Sequence, residues 1–409
     1  MNNRFQIPFA LLGRSPTFGR LWAAQTVSLL GDSMTFIALP WFVLELTGSG
    51  TATAGVLLSL HLPAVVTGLV AGSLVDRFQP RTILAADNAI RTLVVALIPL
   101  LYWLERLELW HVYVLALLAG MLQPATLVGS RTIIPDLVDD EDLDRANMLW
   151  AFSANLTVVI GPAVAGMLVA AFGGPSVLLL DAATFAAMAL VSATLPDIRR
   201  AAAPGETPLL ERLGLRQVWR IRVVRLTTLL SLVFFFSYGP LEAALPVYSR
   251  MVLQTDARGY GLLWAALGVG ALLGTLGSAH VSRHLRLGVA LPLIAVLWGA
   301  SLLPAVFVDE LWLACAFLAL GGLMWGPYTP LETTLLQRSV AKEELGRVFG
   351  ARSALLTSGA PLGLALGGAL LAFVPPTVLI ALSSSACVLV GLGGLASPTL
   401  RNLSVPAPP

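Results

Sequence analysis

An all-α membrane protein of about twelve transmembrane helices, arranged as two six-helix halves with both termini cytoplasmic, is the fold this sequence predicts. Three observations predict it. Apolar runs long enough to cross a bilayer recur twelve times. Arginines collect on one side of those runs. Short phrases of the first half return in the second at nearly one offset.

Of the 409 residues, 57% are hydrophobic and 12% are charged, whereas a soluble domain carries roughly 25% charged residues. So few charges cannot cover a water-facing surface of this size, and the deficit fits an outer surface in lipid. Cys315 and Cys387 both lie in apolar runs, which argues against a disulfide framework. The first apolar run is longer than the roughly 7–15-residue core of a signal peptide, so it reads as an uncleaved first helix.

A spanning helix needs about 20 apolar residues. Such runs fall at 21–44, 54–75, 83–104, 110–130, 147–172 and 175–195, then at 226–248, 259–281, 287–307, 311–332, 348–373 and 376–396. Internal Gly and Pro are tolerated in membrane helices. Trp22, Trp103, Trp110, Trp219 and Trp312 sit near the expected interfaces, where indole rings are favoured.

Loop charge sets the orientation. Arg4, Arg14, Arg20, Arg77, Arg81, Arg131, Arg145, Arg283, Arg286, Arg338, Lys342, Arg347 and Arg401 share one side with the seven arginines from Arg199 to Arg225. The other side shows Arg106, Arg250 and Arg258. The positive-inside rule therefore makes the termini and the central loop cytoplasmic, in a multi-pass protein of the cell inner (plasma) membrane. The expected organisation is an N-terminal half, 1–195, a basic linker, 196–225, and a C-terminal half with its tail, 226–409. Within the linker, Leu209 to Arg222 mixes apolar residues with arginines. It reads either as a helix lying on the anionic leaflet or as a solvated basic tether.

The repeat supports the two halves. Ala38-Leu39-Pro40 returns as Ala244-Leu245-Pro246, Arg20-Leu21 as Arg225-Leu226, Gly72-Ser73 as Gly277-Ser278, and Leu143 with Arg145 as Leu345 with Arg347. The offsets run from 202 to 206 residues. Six spans return the chain to its starting side, so the halves run parallel. Such halves around a midplane cavity form an alternating-access scaffold.

The loop after span 2 reads Gly72-Ser73-Leu74-Val75-Asp76-Arg77-Phe78-Gln79-Pro80-Arg81. This resembles the cytoplasmic signature of the major facilitator superfamily, with Gly72, Leu74, Asp76, Arg77 and Arg81 matching and Gln79 and Pro80 departing. Gly161-Pro162-Ala163-Val164-Ala165-Gly166 in span 5 resembles the Gly-Pro motif of that superfamily's proton-coupled exporters, with Thr157 where a glycine is usual. Leu30-Gly31-Asp32, Leu46-Thr47-Gly48-Ser49 and Arg145-Ala146-Asn147 resemble the branch of macrolide and enterobactin exporters. The second half keeps the loop glycine but has Val281 where Asp76 would repeat. The resemblance implies a monomeric secondary exporter, with protons and an amphipathic small molecule as its partners and with no cofactor. A passive facilitator or importer on the same fold is the alternative. It also implies a cytoplasmic gate of Gly72, Asp76, Arg77, Arg81 and Asp136. There Asp76 would meet the helix start near Gly346 and Arg347, and Arg77 would pair with Asp136. The bland reading makes these charges headgroup anchors.

Ionisable groups inside membranes default to functional hypotheses. Asp32 sits about 12 residues into span 1, roughly 18 Å along it and near the midplane. Gln25, Ser28, Asp32 and Thr35 share one helix face. Ser231, Phe235, Tyr238 and Glu242 form a similar face in span 7, and Trp325, Tyr328 and Glu332 one in span 10. Together they describe an aromatic, acidic cavity suited to lipophilic cations. Asp32, read as a lone carboxylate, and Glu242 are the candidate proton-coupling groups. Either can instead be structural, Asp32 by bonding a neighbouring helix and Glu242 by reaching outer water. Glu332 reads as interfacial, Asp87 and Arg91 as a local pair, Asp181 as lacking a visible partner, and His61 as a structural histidine.

Several functions are excluded by pattern. Lys342 is the only lysine and follows Ala341, so no Walker A loop exists and ATP bound to this chain cannot drive it. There is no His-Glu-x-x-His, and the pair His280 and His284 has no accompanying carboxylate or thiol, so no metal is expected. No basic patch with interleaved aromatics argues for nucleic acid, and no catalytic constellation or signalling domain argues for an enzyme or a receptor.

Overall fold

The computed structural model describes residues 9–121, 123–197 and 215–402, with side chains described there except at 68–77, 125, 128, 215 and 343. The described residues form helices and contain no strand. In the first part of the chain these are α1 (Ala10–Arg14), α2 (Pro16–Thr47), α3 (Gly50–Arg77), α4 (Pro80–Trp103), α5 (Leu109–Gly120), α6 (Gln123–Thr132), α7 (Leu143–Phe172) and α8 (Gly174–Ala193). Then come α9 (Leu215–Arg220), α10 (Arg222–Met251), α11 (Ala257–Leu276), α12 (Ser278–His284), α13 (Leu287–Leu302), α14 (Leu311–Trp325), α15 (Tyr328–Ser339), α16 (Lys342–Leu370), α17 (Pro376–Ala396) and α18 (Pro398–Arg401). Among the described residues, eleven helical stretches are long and apolar enough to span a membrane. The run expected as a continuous fourth span divides into α5 and α6, and α5 alone is a short apolar helix.

Local chemistry sets the boundaries. α2 stops at Gly48 and α7 at Gly173, both with positive φ (64° and 80°) that costs glycine little. Pro175 sits in the first turn of α8, where its missing N–H is not needed. α14 gives way to α15 at Gly326-Pro327, since Pro327 has no N–H to extend the ladder. α7 starts beneath an acidic run, Asp139 to Asp142 with Asp144 in its first turn, which complements the helix dipole. Trp103, Trp110, Trp219 and Trp312 are all exposed, as interfacial indoles should be.

The chain divides into two compact units, Met1–Phe42 with Ser59–Pro204, and Val43–Leu58 with Gly205–Pro409. In the first unit α4 packs along α8 and also meets α5 and α6. A base of Leu11, Phe18, Ile134, Ala146 and Leu149 closes one end, where Asp142 pairs with Arg14 at 3.2 Å and also with Arg145.

In the second unit the matching pair is α13 on α17, alongside α10 on α16 and α11 on α14. α11 and α14 meet through glycines. A Cβ on Gly270 or Gly274 would strike the backbone of Ala319 or Leu323, and one on Gly322 or Gly326 the backbone of Leu267 or Ala271. Such close approach is how membrane helices gain contact without a hydrophobic drive. α9 buries Val218 against Leu336, Val340 and Val348, and Arg220 pairs with Glu344 at 2.6 Å. Of the expected linker, residues 198–214 lie outside the described residues.

Candidate functional site

Each unit holds a buried polar cluster. In the first, α2, α4 and α8 contribute Asp32, Arg91 and Asp181. Arg91 forms an ion pair with Asp32, and its guanidinium lies 3.8 Å from the centroid of the Phe185 ring. Asp181, fully buried, accepts hydrogen bonds from the Thr35 hydroxyl of α2 and, at 3.0 Å, from Thr184 one turn along its own helix. Its carboxyl is seated against the bare Cα of Gly31, where any Cβ would collide with it. Asp87, also buried, accepts from the Thr126 hydroxyl of α6 at 2.5 Å. Arg91 Nε makes no hydrogen bond among the described residues.

This corrects three expectations. Asp32 is not a lone carboxylate, because Arg91 reaches it from α4. Arg91 therefore makes its contact bond to Asp32 rather than to Asp87, although Asp87 stays within electrostatic reach. Asp181 has partners, supplied 146 residues away in sequence by Thr35. The span 1 face is also less open than expected. Ser28 and Thr35 are buried, Gln25 is half-buried with Oε1 making no hydrogen bond among the described residues, and Asp32 keeps 26% of its side chain exposed.

In the second unit the cluster joins α10, α15 and α16. Arg352 donates to Glu332 at 2.6 Å, to Ser231 at 3.1 Å and, through Nε, to Thr228 at 2.8 Å. Ser231 in turn donates to Glu332 and lies 2.9 Å from the Tyr328 hydroxyl. Glu332 is thus buried and paired, not interfacial. Sequence reasoning missed Arg352, although an arginine within the apolar run 348–373 was the available signal.

Aromatic rings adjoin this cluster through Tyr328. Phe234 stacks on Tyr328 at 4.7 Å and meets Trp298 edge-on at 5.3 Å. One turn further along α10, Tyr238 lies 5.7 Å from Trp325 and 5.9 Å from Trp264. Phe235 is half-buried and touches Phe234 at 6.1 Å. Glu242, buried in α10 one turn past Tyr238, lies within electrostatic reach of Tyr238 and Tyr260. Buried polar groups of this kind hold their geometry because leaving any one of them unmatched in a low-dielectric interior is costly.

The residues expected at the gate are only partly placed. The side chains of Gly72, Asp76 and Arg77 lie outside those described. Arg81 pairs with Asp197 at 3.7 Å and donates to the Leu195 carbonyl at 3.3 Å. Asp136 is exposed and lines a cavity of about 310 Å³ with Arg14, Ser15 and Asp142. Gly161, Pro162 and Gly166 form a buried face of α7, and Gly161 approaches α2 so closely that a Cβ would meet Ser33.

The family model for the Major Facilitator Superfamily matches residues 21–364. The chain belongs to the Major Facilitator Superfamily. It is a multi-pass membrane protein. Among curated relatives, the Multidrug efflux pump Tap of Mycolicibacterium fortuitum is 29% identical over 408 residues, covering 97% of this chain and 99% of its own. Tap of Mycobacterium tuberculosis is also 29% identical, with 96% of each chain covered. The Enterobactin exporter EntS of Salmonella paratyphi A is 28% identical, covering 94% and 92%. Among solved structures, the POT family transporter PepTSo gives a TM-score of 0.75 at 11% identity over 95% of this chain and 99% of the other. A bacterial homologue of the iron transporter ferroportin in an inward-facing state gives 0.73 at 17% identity, covering 93% and 98%. At such identities the likeness is one of fold.

Proposed function

We propose that this chain exports amphipathic small molecules from the cell by proton antiport, as a monomer in the plasma membrane working by alternating access. The observation that carries the reading is the charge content of the first unit. Asp32, Asp87 and Asp181 face a single guanidinium, Arg91, inside a helix bundle. Isolated charges are not maintained there, because desolvation is worth several kcal/mol or more. An excess of carboxylates over guanidinium there supports a bundle that takes up and releases protons or cations as its hydration changes. Relatives bearing the names of a multidrug efflux pump and an enterobactin exporter, each matched over nearly their whole length, support the outward direction.

Asp32 is the proposed coupling residue of the first unit and Glu242 that of the second. Tyr238, Trp325 and Tyr328, with Phe235 and Ser231, form the proposed substrate wall, and lipophilic cations suit its aromatic and acidic character. On the first unit Gln25, Ser28 and Thr35 remain the proposed cavity residues beside Asp32 in sequence, although Ser28 and Thr35 are buried and Gln25 half-buried. Gly72, Asp76, Arg77, Arg81 and Asp136 remain the proposed cytoplasmic gate, and Gly161, Pro162 and Gly166 the helix contact of exporter type.

The test is uptake of ethidium into inside-out proteoliposomes, with and without an imposed inward-acid pH gradient. Accumulation that requires the gradient is the expected result. Equilibration at the same rate with and without it would replace antiport by facilitated diffusion.

A further inference from the structure

Asp181 stands apart from the other carboxylates of the first unit. It is completely buried, it sits on the bare backbone of Gly31, and its contact bonds come from two hydroxyls, Thr35 and Thr184. The guanidinium that would neutralise it is nearby but committed elsewhere. Arg91 lies over Phe185, one turn from Asp181 on the same face of α8, while its Nη2 bonds Asp32 of α2. Arg91 Nε has no acceptor among the described residues, so the guanidinium holds a donor in reserve. The charged groups within electrostatic reach of Arg91 are Asp32 from α2, Asp87 from α4 and Asp181 from α8. Asp87 is engaged by Thr126.

We propose that Asp181 is the proton-carrying carboxyl of this transporter and that Arg91 is a switch shared between Asp181 and Asp32. With Asp181 protonated, no charge competes for Arg91 from α8, and the guanidinium pairs with Asp32, as the structure has it. When the proton leaves Asp181 for water, the new carboxylate draws Arg91 across the Phe185 ring, and Asp32 is released with its negative charge. A cationic substrate then binds Asp32. Its departure returns Arg91 to Asp32 and leaves Asp181 ready to take a proton. Proton and substrate thus exclude one another without sharing a residue, through one guanidinium whose single charge cannot offset two carboxylates. This deepens the antiport reading and rests on it, but its first test needs no transport.

Infrared difference spectra of the purified, lipid-reconstituted protein, recorded while the pH is raised, report the loss of protonated carboxyl C=O intensity. In the wild type one such band is expected to disappear. It should be absent in Asp181→Asn and retained in Asp32→Asn and Asp87→Asn. Should Asp181→Asn fail to fold, Thr35→Val serves in its place, since removing that hydroxyl donor must shift the band to higher frequency. A band lost in Asp32→Asn or Asp87→Asn instead, or one unmoved by Thr35→Val, overturns the assignment, as does the absence of any titrating band in the wild type. The switch is read by tetraphenylphosphonium binding. In the wild type affinity should rise with pH by up to about tenfold per unit, as expected for one exchanged proton. In Asp181→Asn it should be flat, and an unchanged slope there excludes the switch. A titrating Asp181 band together with gradient-independent ethidium flux would sink the antiport reading while leaving the carboxyl assignment intact.

Discussion

Removing the Arg352 guanidinium leaves Glu332, Ser231 and Thr228 facing one another with no cation between them. Both charged partners are buried, so the cost is that of an uncompensated ion, about 3–5 kcal/mol when one member of a buried pair is deleted. Arg352→Met should therefore lower the thermal midpoint in detergent sharply, whereas Arg352→Met with Glu332→Leu should regain most of it. A double variant as unstable as the single one would mean that the hydrogen-bonded shape matters and not the charge balance. This cluster was half legible in the sequence. Ser231, Tyr328 and Glu332 stood out because polar groups in apolar runs do. What joins them did not, since Arg352 comes from a helix 20 residues beyond Glu332 and 121 beyond Ser231. The same holds for Asp181, whose partner Thr35 is set by helix packing that no local pattern encodes. Asp32 was found by its depth in the membrane, but its pairing with Arg91 hides in the choice between α2 and the neighbouring Asp87.

Helices were read with more success than their interruptions. Length and hydropathy mark spans well because the bilayer imposes both. The α14–α15 junction falls at a single proline, Pro327, whereas Pro40 in α2 and Pro162 in α7 are absorbed without a break. The glycine contacts were likewise visible as composition but not as partners. Between α11 and α14 the backbones meet at Gly270, Gly274, Gly322 and Gly326. Gly274→Val should push α14 away, with a loss of stability on the order of 1–3 kcal/mol, as for other overpacked sites. Gly393→Val, at a position with open space around its Cα, is the control. Equal thermal midpoints for the two variants would show that the α11–α14 contact is slack enough to absorb a side chain.

At the scale of the whole transporter, the proposed antiport requires a route from a proton gradient to outward work on a substrate, and Asp32 is where the proposed chain of events meets the substrate. Asp32→Asn removes the charge and keeps the shape. In many proteins this would leave Arg91 as an orphaned buried cation, but here Asp181 and Asp87 remain within electrostatic reach of it, so the bundle should still fold and insert. Arg91 then has no carboxylate on α2 to return to, so Asp181 still exchanges its proton but no longer does so in step with substrate. The expected phenotype is specific: downhill exchange of neutral amphipathic compounds at near wild-type rate, with gradient-driven accumulation of ethidium lost. Asp32→Glu, which keeps the charge on a longer arm, should retain part of the accumulation, because the guanidinium can still choose between two carboxylates. The measurement is paired flux in proteoliposomes, with and without the pH gradient, for wild type, Asp32→Asn and Asp32→Glu. Gradient-driven accumulation at the wild-type level in Asp32→Asn would remove Asp32 from the coupling step and direct attention to Glu242, the buried carboxylate of the second unit beside the Tyr238 and Trp325 wall.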